Sequence, residues 1–313
     1  YIEEYGIAQI SMNLTNINIT PVHIAFDEVC KKANERGIRV TGSEIVGLIP
    51  LKALLDAGKY FLEKQQRSTG VSEKELIKIA VKSMGLDELS PFNPNDRIIE
   101  YILKDKSASR LVNMTLTEFA DETASESPAP GGGSISAYVG ALGISLGTMV
   151  ANLSSHKKGW DNQWKYFSDW ALQGQELKKE MLQLVDEDTL AFNKIMLSFA
   201  LPKGSDEDKK IRTEAIQEAT KYAILTPFKV MKQAFKSMEL MKEMVEKGNP
   251  NSVTDAAVGA LCARTAVIGA FMNVRINASG LNDKDFIAKI MAEGQDIQEK
   301  SMALESEIIA LAN

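Results

Sequence analysis

The chain has 313 residues, 44% of them hydrophobic and 25% charged, and a formal charge of −6 at neutral pH, the make-up of an ordinary globular protein. That acidic balance argues against a broad phosphate-binding surface and so against nucleic acid as a partner. Cys30 and Cys262 make neither a metal-ligand spacing nor a disulfide framework, so no metal is expected and a reducing cytoplasm is the expected compartment. At roughly 150 residues per domain, two domains are expected.

Residues 1–6 read as the last turn of a helix already under way, and no initiator Met precedes them. A piece of a longer protein is therefore expected, and no signal-peptide pattern opens it. Residues 8–14 alternate as a strand, 21–36 read as a helix with Thr20 as cap and Gly37 as stop, and 39–44 return to strand, which predicts a βαβ unit. A helix over 50–65 follows, then a more polar stretch with the Ser72-x-x-Glu75 capping box and the turn-rich SPFNPND around Pro91 and Pro94. The domain boundary is placed near Arg110, giving an α+β domain over 1–110 and an all-α helical bundle over 111–313.

From Thr115, whose capping box closes on Glu118, every signal is helical: 115–125, 134–153, 160–200, 206–247, 253–277 and 283–311, punctuated by Gly204, Gly248-Asn249-Pro250 and Gly280. The segments 134–153 and 253–277 are apolar around most of their circumference and built of small residues, so they are expected at the centre of the bundle. Residues 135–153 are almost long enough to span a bilayer, yet their Ala, Gly, Ser and Thr content fits a buried core helix better, and no membrane partner is expected.

The run Ser127-Pro128-Ala129-Pro130-Gly131-Gly132-Gly133-Ser134 stands immediately before the first of these helices. Three glycines leave the backbone N–H groups free to converge on a ligand, Ser134 is placed to cap the helix, and a helix N-terminus attracts anions. The plainer reading is a Pro/Gly loop entering a packed helix. In the 160–200 helix, Asp188 falls on the face of Met181, Leu184, Val185, Phe192, Ile195 and Phe199, while Asp186 and Glu187 fall off it. A carboxyl on an apolar stripe either handles protons with a raised pKa or pairs with a core cation, for which Arg264 is the candidate. On 253–277, Asp255 and Asn273 share a face but lie about 27 Å apart at 1.5 Å per residue, so they serve different ends. Antiparallel packing with short loops then sets Asn273 and Asn277 against the glycine loop, and leaves Asp255 as a capping residue after Ser252. Lys157 and Lys158 follow the first apolar helix, where they either complement its dipole or hold a carboxylate-rich ligand tail. No histidine has a Ser or Cys motif beside it, so no nucleophilic triad is expected.

SPAPGGGSISAYVGALGISLGTMVANL, DEDTLAFNKIM and TDAAVGALCARTAVIGAFMNVRIN together resemble the cyclodeaminase family in order and spacing. The block AQISMNLTNINITPVHIAFDEVCKKANERGIRVTGSEIVGLIPLKALLDAGKYFL resembles the C-terminal subdomain of glutamate formiminotransferase, a ferredoxin-like βαβ fold. In this order the two resemble the bifunctional formiminotransferase-cyclodeaminase family over nearly the whole chain. The resemblance implies folate chemistry in histidine degradation: transfer of a formimino group to tetrahydrofolate, then ring closure of 5-formiminotetrahydrofolate to 5,10-methenyltetrahydrofolate with release of ammonia. It implies polyglutamylated tetrahydrofolate as carrier substrate with no covalently bound cofactor, and a homodimer of bundles within a larger ring. The family's transferase histidine belongs to an N-terminal subdomain outside this sequence, so His23 is not given that role. Small residues precede the Lys pair in the family where this chain has Ser155-His156, so His156 is not assigned to catalysis. On this reading Asp188 moves the proton, Gly131, Gly132, Gly133, Ser134, Asn273 and Asn277 hold the folate, and Lys157 and Lys158 attract its glutamate tail. Methenyltetrahydrofolate cyclohydrolase is the enzymatic rival, and a non-catalytic folate-tethering and oligomerisation module the other.

Overall fold

The computed structural model describes residues 1–104 and 111–313, and the chain divides into two compact units, Tyr1–Asp105 and Lys106–Asn313. The expected boundary at Arg110 lies outside the described residues. In the first unit, α1 (Val22–Asn34), α2 (Leu51–Lys64) and α3 (Glu73–Met84) are followed by the short α4 (Pro94–Arg97) and α5 (Ile99–Leu103). Leu54, Ala57 and Phe61 of α2 close on Ile77, Ala80 and Met84 of α3. Gly58 permits this approach, since a Cβ there would lie 2.3 Å from the Leu76 carbonyl oxygen. The Ser72 hydroxyl accepts from the Glu75 N–H to start α3, and Gly85 ends it in the left-handed region at φ 59°. Thr20 does not cap α1, which begins behind Pro21 without a side-chain cap.

The predicted βαβ unit is not formed. Residues 8–14 and 39–44 are in contact through Gln9 and Glu44, whose side chains are 3.2 Å apart, but they share no backbone ladder. The described residues hold only two isolated bridges, Ile2 with Ile7 and Ile49 with Ile98. Alternation sets which side chains share a face, but a strand also needs a neighbour for its N–H groups and a layer to cover that face. Ile10 and Met12 remain 67% and 48% exposed, so no such layer is present. The opening residues also differ from expectation: the Ile2–Ile7 bridge closes 1–6 as a turn, where a helical end was predicted.

The second unit is the predicted helical bundle. After α6 (Leu116–Thr123), started by the Thr115–Glu118 capping box, come α7 (Gly132–Ser155), α8 (Trp164–Phe199), α9 (Asp206–Lys247), α10 (Val253–Ala278) and α11 (Lys284–Ala312). α7 and α10 cross with their backbones in near contact. A Cβ on Gly143 would fall 2.7 Å from the Gly259 carbonyl oxygen, and one on Gly259 would fall 2.9 Å from that of Gly143. Ile144, Met181, Met231, Met238, Met241, Val267 and Phe271 fill the surrounding core. α7 and α10 are long and apolar enough by composition to cross a membrane, and 61% and 50% of their apolar windows are buried in the bundle.

The apolar face predicted for α8 is only partly buried. Met181, Leu184 and Val185 lie in the core, whereas Phe192 and Phe199 are exposed. α8 has 36 residues and α9 has 42, against 24 in α7 and 26 in α10, so the α8–α9 pair runs on beyond the helices that would cover it. Ser198 Oγ donates to the Lys194 carbonyl of its own helix at 2.8 Å and lies 3.3 Å from the Ala215 carbonyl oxygen, where the two helices of this extension meet.

The Gly143–Gly259 approach sets a test. Gly143→Ala is expected to cost about 1–3 kcal/mol through overpacking against backbone, whereas Gly131→Ala, whose Cβ would meet nothing nearer than 3.8 Å, is expected to stay within about 1 kcal/mol of the parent. Equal thermal midpoints for the two variants would refute the close crossing.

Candidate active site

α7 begins at Gly132, with Gly131 as a cap that has no side chain to offer. Its first N–H groups therefore need acceptors from elsewhere. Asp188 supplies one from α8: its Oδ2 accepts from the Ser134 N–H at 2.9 Å and lies 3.1 Å from the Ser134 hydroxyl. Ser134 is thus not the helix cap that its position suggested; it stands in the first turn and receives the cap from another helix. Gly133 makes this possible, because a Cβ there would fall 2.1 Å from Asp188 Oδ1.

Burial pushes the Asp188 carboxyl above its ordinary pKa, while the two bonds from Ser134 pull it down; burial is the larger effect. The Ser134 hydroxyl is also 2.9 Å from the Val185 carbonyl oxygen. Its single proton can go to either acceptor. Given to Asp188, it stabilises the carboxylate; given to Val185, it leaves the serine oxygen free to accept from a protonated Asp188. The same three atoms therefore accommodate both protonation states.

Asn273 Nδ2 donates to the Gly269 carbonyl at 2.9 Å and lies where a Cβ on Gly132 would be only 3.2 Å away. Ser136 Oγ donates to the Gly132 carbonyl at 2.6 Å and occupies the space a Cβ on Gly269 would need. The end of α10 therefore lies on the start of α7. Asn277 is engaged differently. Pro227 inside α9 has no N–H for the carbonyl four residues before it, and Asn277 Nδ2 donates to that carbonyl, on Ala223, at 2.8 Å. Next to Ala223, the Tyr222 hydroxyl donates to Glu187, the neighbour of Asp188, and burial followed by this bond pushes the phenol up to about 12. Lys194 Nζ lies 3.7 Å from the centre of the Tyr222 ring.

A model of the family described as formiminotransferase-cyclodeaminase matches residues 115–296, and one of the formiminotransferase domain matches residues 1–104. The chain belongs to the formiminotransferase-cyclodeaminase family. It is 34% identical over 290 residues to formimidoyltransferase-cyclodeaminase of Rattus norvegicus, covering 92% of this chain and 53% of the rat protein. It is 33% identical to the Dictyostelium discoideum protein of that name over 100% of this chain and 58% of that one. The chain thus spans about half the length of the curated relatives it matches. Methenyltetrahydrofolate cyclohydrolase of Methylorubrum extorquens is 33% identical over 63% of this chain and 94% of its own length. The fold also matches the crystal structure of formiminotetrahydrofolate cyclodeaminase from Thermotoga maritima, with a TM-score of 0.56 and 24% identity over 64% of this chain and 96% of that one.

Within this member of the family, the residues singled out from sequence separate into two groups. Gly131, Gly132, Gly133, Ser134, Asp188 and Asn273 come together at one end of the bundle, with Asn277 one helical turn further along. Lys157 and Lys158 lie just past the other end of α7, about 36 Å from Gly133 at 1.5 Å per residue, where Lys157 Nζ sits 4.0 Å over the Trp160 ring. They do not reach the glycine end of their own copy. Arg264 is not the partner of Asp188; its Nε faces Glu305 of α11 at 4.0 Å. Asp255 is in the first turn of α10, although the Ser252 side chain makes no capping bond. Tyr222, Glu187 and Ala223 were not anticipated. Their one sequence signal is Pro227, which leaves a carbonyl in need of a donor.

The raised Asp188 pKa has a consequence for stability. The folded state holds this proton more tightly than the unfolded chain, whose value is 3.8, so the contribution is complete below that value and is lost as pH rises through the folded one. Asp188→Asn keeps an oxygen for the Ser134 N–H and removes the titration. Relative to the parent, the variant is therefore expected to gain stability from pH 4 to pH 7 in denaturant unfolding; a constant difference would show that the carboxyl is not destabilised by burial.

Proposed function

We propose that the glycine end of the bundle is a formimidoyltetrahydrofolate cyclodeaminase site, converting 5-formiminotetrahydrofolate to 5,10-methenyltetrahydrofolate and ammonia. The supporting observation is the Asp188 carboxyl, displaced upward in pKa, held on the first turn of α7 and able to exist in either protonation state beside Ser134. In the reaction N10 attacks the formimino carbon, the new N10–C bond forms, and the C–N bond to the terminal nitrogen breaks. Starting from the cationic formimino group, one proton must pass from N10 to the departing nitrogen, and the cationic methenyl product and neutral ammonia balance the charge. Asp188 takes that proton as base and returns it as acid. The backbone of Gly131 and Gly132, half-buried and exposed respectively, and the Asn273 amide hold the folate by hydrogen bonds. Folate carries no phosphate, so the α7 N-terminus faces ring carbonyl or carboxylate oxygen. The formimino transfer that relatives' names describe is proposed for a longer protein containing this chain.

Cyclohydrolase activity is the second reading, supported by the Methylorubrum extorquens relative. Ammonia release from 5-formiminotetrahydrofolate, with methenyl absorbance followed in parallel, distinguishes the two. Both signals are expected to rise, and Asp188→Asn to lower the rate at least about a hundredfold. No ammonia from 5-formiminotetrahydrofolate, together with loss of absorbance when 5,10-methenyltetrahydrofolate is added instead, would favour the hydrolase, and silence towards both from a folded sample would favour a folate-tethering module.

We further propose a homodimer through α7 and α10. Their outward faces carry Leu142, Met149 and Leu153 on α7 and Leu261, Met272 and Ile276 on α10, between 38% and 70% exposed, at spacings of seven and four and of eleven and four residues that keep each set on one face of its helix. A second copy would bring its own Lys157 and Lys158 to bear on a glutamate tail. Sedimentation is expected to show a dimer that Leu142→Glu combined with Leu261→Glu converts to monomer; a monomeric parent would exclude the pairing.

A further inference from the structure

Four helices are linked around the glycine end by contacts that close on themselves. α7 meets α8 through Ser134 and Asp188, α8 meets α9 through Glu187 and Tyr222, α9 meets α10 through Ala223 and Asn277, and α10 meets α7 through Asn273 and Gly132. The weakest part of this circuit by helix chemistry is α9. Pro227 removes the N–H that would hold the Ala223 carbonyl, and a proline inside a helix kinks or loosens the turn before it. Tyr222 belongs to that turn. Its hydroxyl is the donor to Glu187, whose carboxylate is adjacent in sequence to Asp188.

We infer that Asn277 is a positioning residue: by donating to the Ala223 carbonyl that Pro227 leaves open, it fixes Tyr222 and so Glu187, the residue before Asp188 on α8. This rests on the cyclodeaminase reading for its catalytic consequence, though not for its geometry. Because Glu187 and Asp188 are consecutive residues of α8, a shift of Tyr222 passes through the α8 backbone to the Asp188 carboxyl, whose placement before the reaction the chemistry requires. Asn277 thereby acts on the site through α9 and not by touching folate. Lys194, with Nζ 3.7 Å from the centre of the Tyr222 ring, braces the same group.

The proline makes the inference testable by rescue. Pro227→Ala restores a backbone N–H opposite the Ala223 carbonyl, so it should replace what Asn277 supplies. In the whole chain, Asn277→Ala is expected to lower kcat for ammonia release by about tenfold to a hundredfold with KM within about twofold, since small misplacements near reacting groups have costs of that size. In the Pro227→Ala background the same substitution should lower kcat by less than about threefold. An equal loss in both backgrounds would overturn the inference and return Asn277 to direct substrate binding, as would a loss confined to KM. Amide hydrogen exchange over residues 219–231 provides a readout independent of activity. Asn277→Ala should speed exchange there by about fivefold, the equivalent of one ordinary hydrogen bond, and the double variant should not. If the parent releases no ammonia but exchange shows this rescue, the clamp stands and the functional reading fails; if ammonia is released but exchange and kcat show no rescue, the clamp fails and the functional reading stands.

Discussion

The site depends on one close approach, that of the Asp188 carboxyl to the first turn of α7 over Gly133. A single added carbon at Gly133 would occupy the space of the carboxyl oxygen. The approach satisfies a helix N–H that Gly131 cannot serve, and it takes Asp188 out of water. Hydrogen bonds to a charged group contribute about 1.5–3 kcal/mol and favour the carboxylate; burial favours the acid and is the stronger influence. The result is a carboxyl whose pKa is displaced upward from the ordinary carboxylate value, the direction that suits the proton carrier proposed above.

The rest of the bundle keeps that approach in register. α7 and α10 cross backbone to backbone at Gly143 and Gly259, so neither helix can slide without forcing carbonyl oxygens together. The crossing fixes how far the end of α10 extends along the start of α7, and it sets Asn273 over Gly132. α8 and α9, longer than the helices they pack on, bring Asp188 and Tyr222 to the same level and then continue past it. Their exposed Phe192 and Phe199 are a consequence of that difference in length.

Helical signals in the second unit were readable because each rests on local chemistry: the Thr115–Glu118 box, the Gly248-Asn249-Pro250 break, and small apolar residues repeating at helical spacing. Asp188 was recognisable for the same reason, as a carboxyl on an apolar stripe. The strand reading of 8–14 and 39–44 failed because alternation is a property of one segment and a sheet is a property of two. Ser134 is not the cap its position suggests because a helix start can be capped from outside its own sequence, and Arg264 does not meet Asp188 because composition does not say which of two neighbouring helices an arginine faces.

By itself the sequence determined the helical bundle, its glycine-led central helix, the isolated carboxyl and the family resemblance, since each is carried by short-range pattern or by order along the chain. Tertiary structure alone decided which acceptor caps α7, that Asn273 lies over Gly132, and that Asn277 fills the place of the N–H missing at Pro227. These are contacts between residues 50 or more positions apart. Their distances are set by where backbones can approach, and only the packed glycines and the lengths of the helices state that.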